Sequence, residues 1–498
     1  MELNGARIII AVVFFAALIP AGARGEEGGR LSLEEALRLA GERNLDILIS
    51  AESIRDAEAG RKAIRGNFGP KFILDAGVQY WNKEIVLDFS ESMGGAPQGA
   101  PPQFDPSSID TSAYPAAFQP YIEQMSADFG SAMGSYMGEL MQWYLSPLLS
   151  AEPMVVRERL TSSLRLNVVQ PLSMLYQVYQ GHKAATVGEE AARMDKDVTV
   201  RNVELEVVSA YFGLLAALKG VEIAQASVKL VEEHRANAER FYNAGLISRN
   251  ELLQAEIGLA EAKQKQIQAR SGAAMARSNL NRIIGVHQDE MTIPIDPFSE
   301  KPPAFSLSVD ECIERGVASR LELRSLDKRI EQVEAAKKIA YADMLPQLSA
   351  IFSYSHNEGS TFQDPNEYFV GATLSWTLWE WGATYYKIDS AGSKRAQIDL
   401  RKQQLVEGLS LQIRKSYLDL RAAEESLAVS EAQVAQAEEN FRIISEKFQA
   451  GAATSTDVLE AETKLTAAKS GRSATYYSYL ISRATLNNAI GERDTLSR

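Results

Sequence analysis

Two stretches 206 residues apart, "AGLISRNELLQAE" at 244–256 and "AGAATSTDVLEAE" at 450–462, carry the same turn chemistry. Self-similarity of this kind fixes an architecture before any single element is read. At the same offset Leu164 falls on Val370, Tyr211 on Tyr417, Asn281 on Asn487 and Gly285 on Gly491. A second offset, 276, lays "LSLEEALRLAGERNLDI" from Leu31 on "LSVDECIERGVASRLEL" from Leu307, and Pro70 on Pro346. The chain is therefore a tandem duplication over residues 31–286 and 307–492, with a linker at 287–306 that contains "IPIDPFSEKPPAF" and a tail at 493–498. The offsets differ by 70 residues, so the first copy holds an insert, at 88–158, that the second lacks.

Each copy reads helix, strand, strand, long helix, turn, long helix. Strands are expected over 70–81, 163–173, 346–356 and 368–379. In the last two, Leu348, Ala350, Phe352 and Tyr354, then Val370, Ala372, Leu374, Trp376 and Leu378, alternate with polar or small residues. Segments of about 10 residues with one apolar face suit tilted membrane strands. Tyr80, Trp81, Trp376, Trp379 and Trp381 near their ends suit an interfacial aromatic girdle. A soluble sandwich, whose strands also alternate, is the competing reading.

Past the strands the apolar period becomes seven. Leu427, Val434, Phe441 and Phe448, with Ser430, Ala437 and Ile444 between them, form a coiled-coil seam; Val221, Val228, Arg235 and Tyr242, with Ala224, Val231 and Ala238, do so in the first copy. Long helical hairpins are expected over 182–284 and 384–490. Gly245 and Gly451 end the descending helices, where glycine tolerates a left-handed cap, and Ser248 with Glu251 and Thr454 with Asp457 have capping-box spacing at the start of the ascending ones. Four strands cannot close a barrel, for which about eight is the practical minimum. An open sheet edge in lipid would strand backbone polar groups, so several chains must share one barrel; pattern alone allows two, three or four.

The N-terminal "MELNGARIIIAVVFFAALIPAGARG" gives an apolar run and a small-x-small site, read as a signal peptide over 1–23. A net charge of -13 without a dense basic run argues against nucleic acid as partner. His182, His234, His287 and His356 are scattered without ligand spacing, and no nucleotide loop or nucleophile elbow is legible. The expectation is no enzyme, no cofactor and no metal site. Within the insert, Tyr121, Met125 and Phe129, then Tyr136, Leu140 and Tyr144, mark an amphipathic helix.

The duplicated layout, the "LSLEEALRLA…N" opening, "LPQLS" at Leu345 and the paired Gly-x-x-[ST]-x-x-[DE] tips together resemble the TolC family of outer-membrane efflux proteins. The likeness covers nearly the whole mature chain except the insert. It implies a mainly α fold with a membrane β-barrel: a homotrimer whose twelve strands close one barrel in the outer-membrane lipid, continuous with a helical tunnel in the periplasm. It also implies a passive exit duct of tripartite efflux or type I secretion, with a periplasmic adaptor (membrane fusion protein) and an inner-membrane RND or ABC pump as partners. Carried onto this sequence, the adaptor-docking tips are Gly245, Leu246, Ile247 and Ser248, and Gly451, Ala452, Ala453 and Thr454. Acidic rings at the entrance fall on Asp457 and Glu460, with Glu251 their counterpart in the first copy. Helix capping alone also explains Asp457 and Glu251. A different class of reading is a soluble periplasmic coiled-coil scaffold without a pore.

Overall fold

The computed structural model describes residues 30–87, 105–149, 154–296 and 305–492. The signal peptide, the C-terminal tail, residues 88–104 and 150–153 of the insert and 297–304 of the linker lie outside the described residues, as does the side chain of Tyr144. The chain divides into two units. One is formed by residues 1–59, 185–333 and 393–498, the other by 60–184 and 334–392.

The strand unit is built on β2 (Lys71–Tyr80), β3 (Ile85–Leu87), β4 (Met154–Pro171), β6 (Gln347–Ser360) and β7 (Asn366–Ser375). All pairs are antiparallel in the order β2-β4-β6-β7, with β3 added against the start of β4. The β4–β6 pair joins the two copies of the duplication. Register aligns the apolar positions into rows on one face, as in Leu74, Leu166 and Tyr354, or Phe72, Val168, Phe352 and Val370. On the opposite face polar groups bond across strands: Asn167 donates to the Asp75 carboxylate at 3.2 Å and accepts from Ser353 Oγ at 2.7 Å. Among the described residues β2 and β7 each have a single strand partner, so both edges are open.

Three strand expectations change, the first being β6, which runs to Ser360 rather than 356. β4 begins at Met154, nine residues before the expected 163 and inside the expected insert, because Met154, Val155 and Arg157 pair with β3 on one side and Arg157 pairs with Ser360 at the end of β6 on the other. A bulge between Arg157 and Ser162 absorbs the mismatch. It needs Gly359, at φ +81°, since a Cβ there would lie 2.4 Å from the Leu160 carbonyl oxygen. β7 stops at Ser375 rather than 379, because its partner β6 starts only at Gln347, immediately after Pro346. The insert helix is α3 (Gln119–Leu149).

The helical unit repeats its plan in both copies. Helices α1 (Leu33–Arg43) and α2 (Leu45–Gly66) match α6 (Val309–Ser319) and α7 (Leu321–Ala342). Ser32 and Ser308 cap α1 and α6. The hairpins are α4 (Leu175–Asn243) with α5 (Arg249–Ile284), and α8 (Ala383–Gln449) with α9 (Ser455–Ala489). The descending helices, 69 and 67 residues, start earlier than expected and span about 100 Å at 1.5 Å per residue.

The main core gathers where the hairpin bases meet α1 and α6, with Tyr211, Phe212, Leu214, Leu280, Ile413, Leu480 and Leu486 nearly inaccessible. Cys312 is buried there. Tyr211 also ties the short parallel pair β1 (Arg30–Leu31) and β5 (Ile293–Pro294): its hydroxyl lies 2.8 Å from the Leu31 carbonyl and 2.5 Å from that of Ile295.

Candidate functional site: the paired hairpin tips and the apolar strand face

Both tips are Schellman turns. Leu246 N–H bonds Phe241 O at 2.8 Å and Gly245 N–H bonds Tyr242 O at 2.9 Å; Ala452 N–H to Lys447 O and Gly451 N–H to Phe448 O repeat them at 2.8 and 3.0 Å. Gly245 and Gly451 sit at φ +74° and +73°, with open space around them. Leu246 is 71% exposed, whereas Ile247 and Ala453 turn inward on a cluster of Ala238, Leu252, Ala255, Phe448 and Val458. That cluster draws on both hairpins.

Of the expected acidic residues, Asp457 and Glu460 each have a partner within about one helical turn. Asp457 completes a capping box: its carboxylate accepts from Thr454 N–H at 2.8 Å and Thr454 Oγ1 at 2.7 Å, which holds its pKa below the ordinary 3.8. Glu460 pairs with Lys464 at 2.7 Å, one helical turn on, and its side chain is 63% exposed.

Glu251 departs from the expected box. Ser248 Oγ accepts from Glu251 N–H at 3.3 Å, but the Glu251 carboxylate accepts from Ser455 N–H at 2.7 Å, across to the start of α9. It caps the other copy's helix. Glutamate is one methylene longer than the aspartate at the equivalent position, and Ser455 N–H is among the amides a helix leaves unpaired at its start.

Two contacts nearby were not read from the sequence. His234, 7% exposed, meets Phe448 edge to face at 4.7 Å and holds a buried Nε2 without a hydrogen-bond partner. Burial lowers its pKa to about 4, against an opposing pull from Glu251. Glu462, 6% exposed, accepts from the Ser227 hydroxyl and from Thr466 Oγ1. The duplication offers a signal for the second: its counterpart Glu256 stays on the surface near Arg235.

On the strand unit, Tyr80 and Trp376 continue the apolar rows of β2 and β7, both largely exposed. Trp376 also donates its indole N–H to Met344 O at 3.1 Å. Trp379 and Trp381 lie past the strand end and meet edge to face at 5.7 Å. Trp381 is the only non-glycine at positive φ (+54°) among the described residues, at the break before α8. Trp81 lies on the other face from Tyr80. Side chains alternate, so it shares the polar face with Gln79 and Thr161; its indole donates to Thr161 Oγ1 at 3.1 Å, and the Arg157 guanidinium sits 3.8 Å above its ring.

Paired capped hairpins, joined in one chain to a small antiparallel sheet with one apolar face and, among the described residues, two open edges, define the class of outer-membrane channel protomers. The chain belongs to the outer membrane efflux protein family, whose sequence profile matches residues 159–286 and 313–492. It is 21% identical over 331 residues to the outer membrane protein TolC of Salmonella enteritidis, covering 63% of this chain and 67% of that one. The alkaline protease secretion protein AprF of Pseudomonas aeruginosa is 23% identical over 66% of this chain and 69% of its own. Among solved structures, the Campylobacter jejuni CmeC outer membrane channel superposes with a TM-score of 0.69 at 14% identity, covering 92% of this chain and 85% of that one. The fold is the α-helical tunnel and barrel fold of these channels.

Proposed function

We propose that this chain is one of three identical subunits of a passive outer-membrane exit duct for efflux or type I secretion. The carrying observation is the strand face: apolar rows in register across four strands, with the outer edges of β2 and β7 unpaired among the described residues. With four antiparallel strands in the order β2-β4-β6-β7, the β7 edge of one copy runs antiparallel to the β2 edge of the next. Such a head-to-tail contact repeats around a ring until it closes, and closure leaves no backbone edge in lipid. Three copies supply twelve strands, above the practical minimum of about eight.

The helical hairpins then form the periplasmic tunnel, with the tips at its entrance. Residues 245–248 and 451–454 offer a periplasmic adaptor two similar Schellman turns, with Leu246 as the exposed apolar element. Asp457 and Glu460, repeated by the three-fold axis, ring the entrance and favour cations; Glu251 instead holds the two hairpins of one subunit together. Energy comes from an inner-membrane RND or ABC pump. Opening is a rigid-body spreading of packed helices.

Reconstitution into planar bilayers tests this. The wild type is expected to conduct weakly and Glu251→Ala more often, because the tips part more readily. An absence of channel currents from both proteins would overturn the reading.

A further inference from the structure

The two copies of the duplication pair their strands in one register. Ten pairs join β2 to β4, from Lys71 with Val169 to Tyr80 with Leu160, and ten join β6 to β7, from Gln347 with Ser375 to His356 with Asn366. Moving the first set by the duplication's own offsets, 276 for β2 and 206 for β4, reproduces every pair of the second. By the same offsets the free edge of β7 is the counterpart of the β4 edge that meets β6, and the free edge of β2 is the counterpart of the β6 edge that meets β4. The chain therefore already contains one example of the junction that its outer edges lack. Among the described residues those edges have no strand partner; β7 is exposed at all ten positions and β2 at nine, whereas most of β6, with a neighbour on each side, is half-buried.

We infer that β7 of one copy pairs with β2 of the next in the β4–β6 register. The pairs Leu164 with His356, Leu166 with Tyr354 and Val168 with Phe352 then become Val370, Ala372 and Leu374 opposite Tyr80, Val78 and Ala76 of the next copy. This rests on the trimeric reading above and specifies its contact. Two further features fit the seam. Trp81 N–H bonds Arg159 O at 2.7 Å, and Asn357 N–H bonds Pro365 O at 2.9 Å. Antiparallel bonds alternate, so odd-numbered residues of β2 and β7 bond inward and even-numbered ones turn N–H and C=O to the free edges. The inferred register sets even against even. A slip of one residue would not, and it would carry the apolar rows onto the polar face. The side chains also match: Leu374 meets the small Ala76 on the apolar face, and on the polar face Ser375 lies opposite Asp75, a donor against a carboxylate. A slip of two residues would keep the faces and the even pairing, and the repeated register is what excludes it.

Double-cysteine cross-linking of the full chain tests the register. Cys312, the only thiol, is replaced (Cys312→Ala), and Gln79→Cys is combined with Gly371→Cys, its inferred opposite. A side chain at Gly371 has room, since the nearest atom to a Cβ there, on Phe369, lies at 3.9 Å. Within one chain β4 and β6 hold the two positions about 14 Å apart, beyond the reach of a disulfide, so any bridge joins two copies. Mild oxidation of the detergent-solubilised particle is expected to convert Gln79→Cys with Gly371→Cys into a covalent trimer. Gln79→Cys with Phe369→Cys or with Thr373→Cys, which match slips of two residues, should stay largely monomeric. Asp75→Cys with Ser375→Cys samples the inferred register at a second place and should also trap the trimer, so a first pair that impairs assembly does not decide the matter. Preferential bridging by a slipped pair would overturn the register and leave the ring standing. No bridging by any pair, in a particle of three chains, would overturn the β7–β2 seam. A particle of one chain would overturn the seam and the trimeric reading together.

Discussion

Glu251 and Asp457 occupy equivalent places in the two copies and do different work, because one methylene decides which amide each can reach. Asp457 closes on its own cap, and Glu251 crosses to Ser455 N–H. Removing that acceptor in Glu251→Ala is expected to cost about 1–2 kcal/mol locally. Exchange of the Ser455 amide should then accelerate by about 5- to 30-fold, with Glu251→Gln intermediate; an unchanged rate would deny the bond a role. The depressed pKa of Asp457 places its contribution above the ordinary 3.8, to be lost as pH falls through the lower folded value. The difference in thermal midpoint between wild type and Asp457→Asn should therefore shrink below that pH. His234 acts in a higher window. Its folded pKa, about 4, lies below the ordinary 6.5, so between those values the unfolded chain binds a proton that the folded chain refuses. Stability should fall as pH drops across that interval, and His234→Phe should flatten the fall; a variant with the wild-type pH slope would contradict this.

At the scale of elements, much of the fold was legible because the duplication states each element twice. Gly245 and Gly451, and Ser248 and Thr454, announce the same tip, and the apolar alternation of β6 and β7 gives their face. What stayed hidden depends on partners rather than pattern. Arg157 fell within the expected insert because a charged position has no strand signature, yet pairing with β3 and β6 makes it strand. Trp81 read as girdle by composition, while alternation turns it to the polar side. The cross-hairpin reach of Glu251 needed the distance between two tips, which no single-copy pattern contains. The faces give a direct prediction: Leu166→Arg, in an apolar row, should destabilise the folded channel by about 2–4 kcal/mol, whereas Ser355→Arg on the opposite face of β6 should be tolerated. Equal losses in urea titrations of the two variants would contradict the assignment of faces.

At the scale of the whole molecule, the four-stranded sheet with apolar rows on one face and both edges open is incomplete as a single chain in lipid. The proposed ring closure by identical copies satisfies the edges and leaves the apolar face to lipid. The most direct measurement is the mass of the detergent-solubilised outer-membrane particle by native mass spectrometry. Three chains per particle is the predicted result, and a stable single chain that stays soluble without detergent would contradict it.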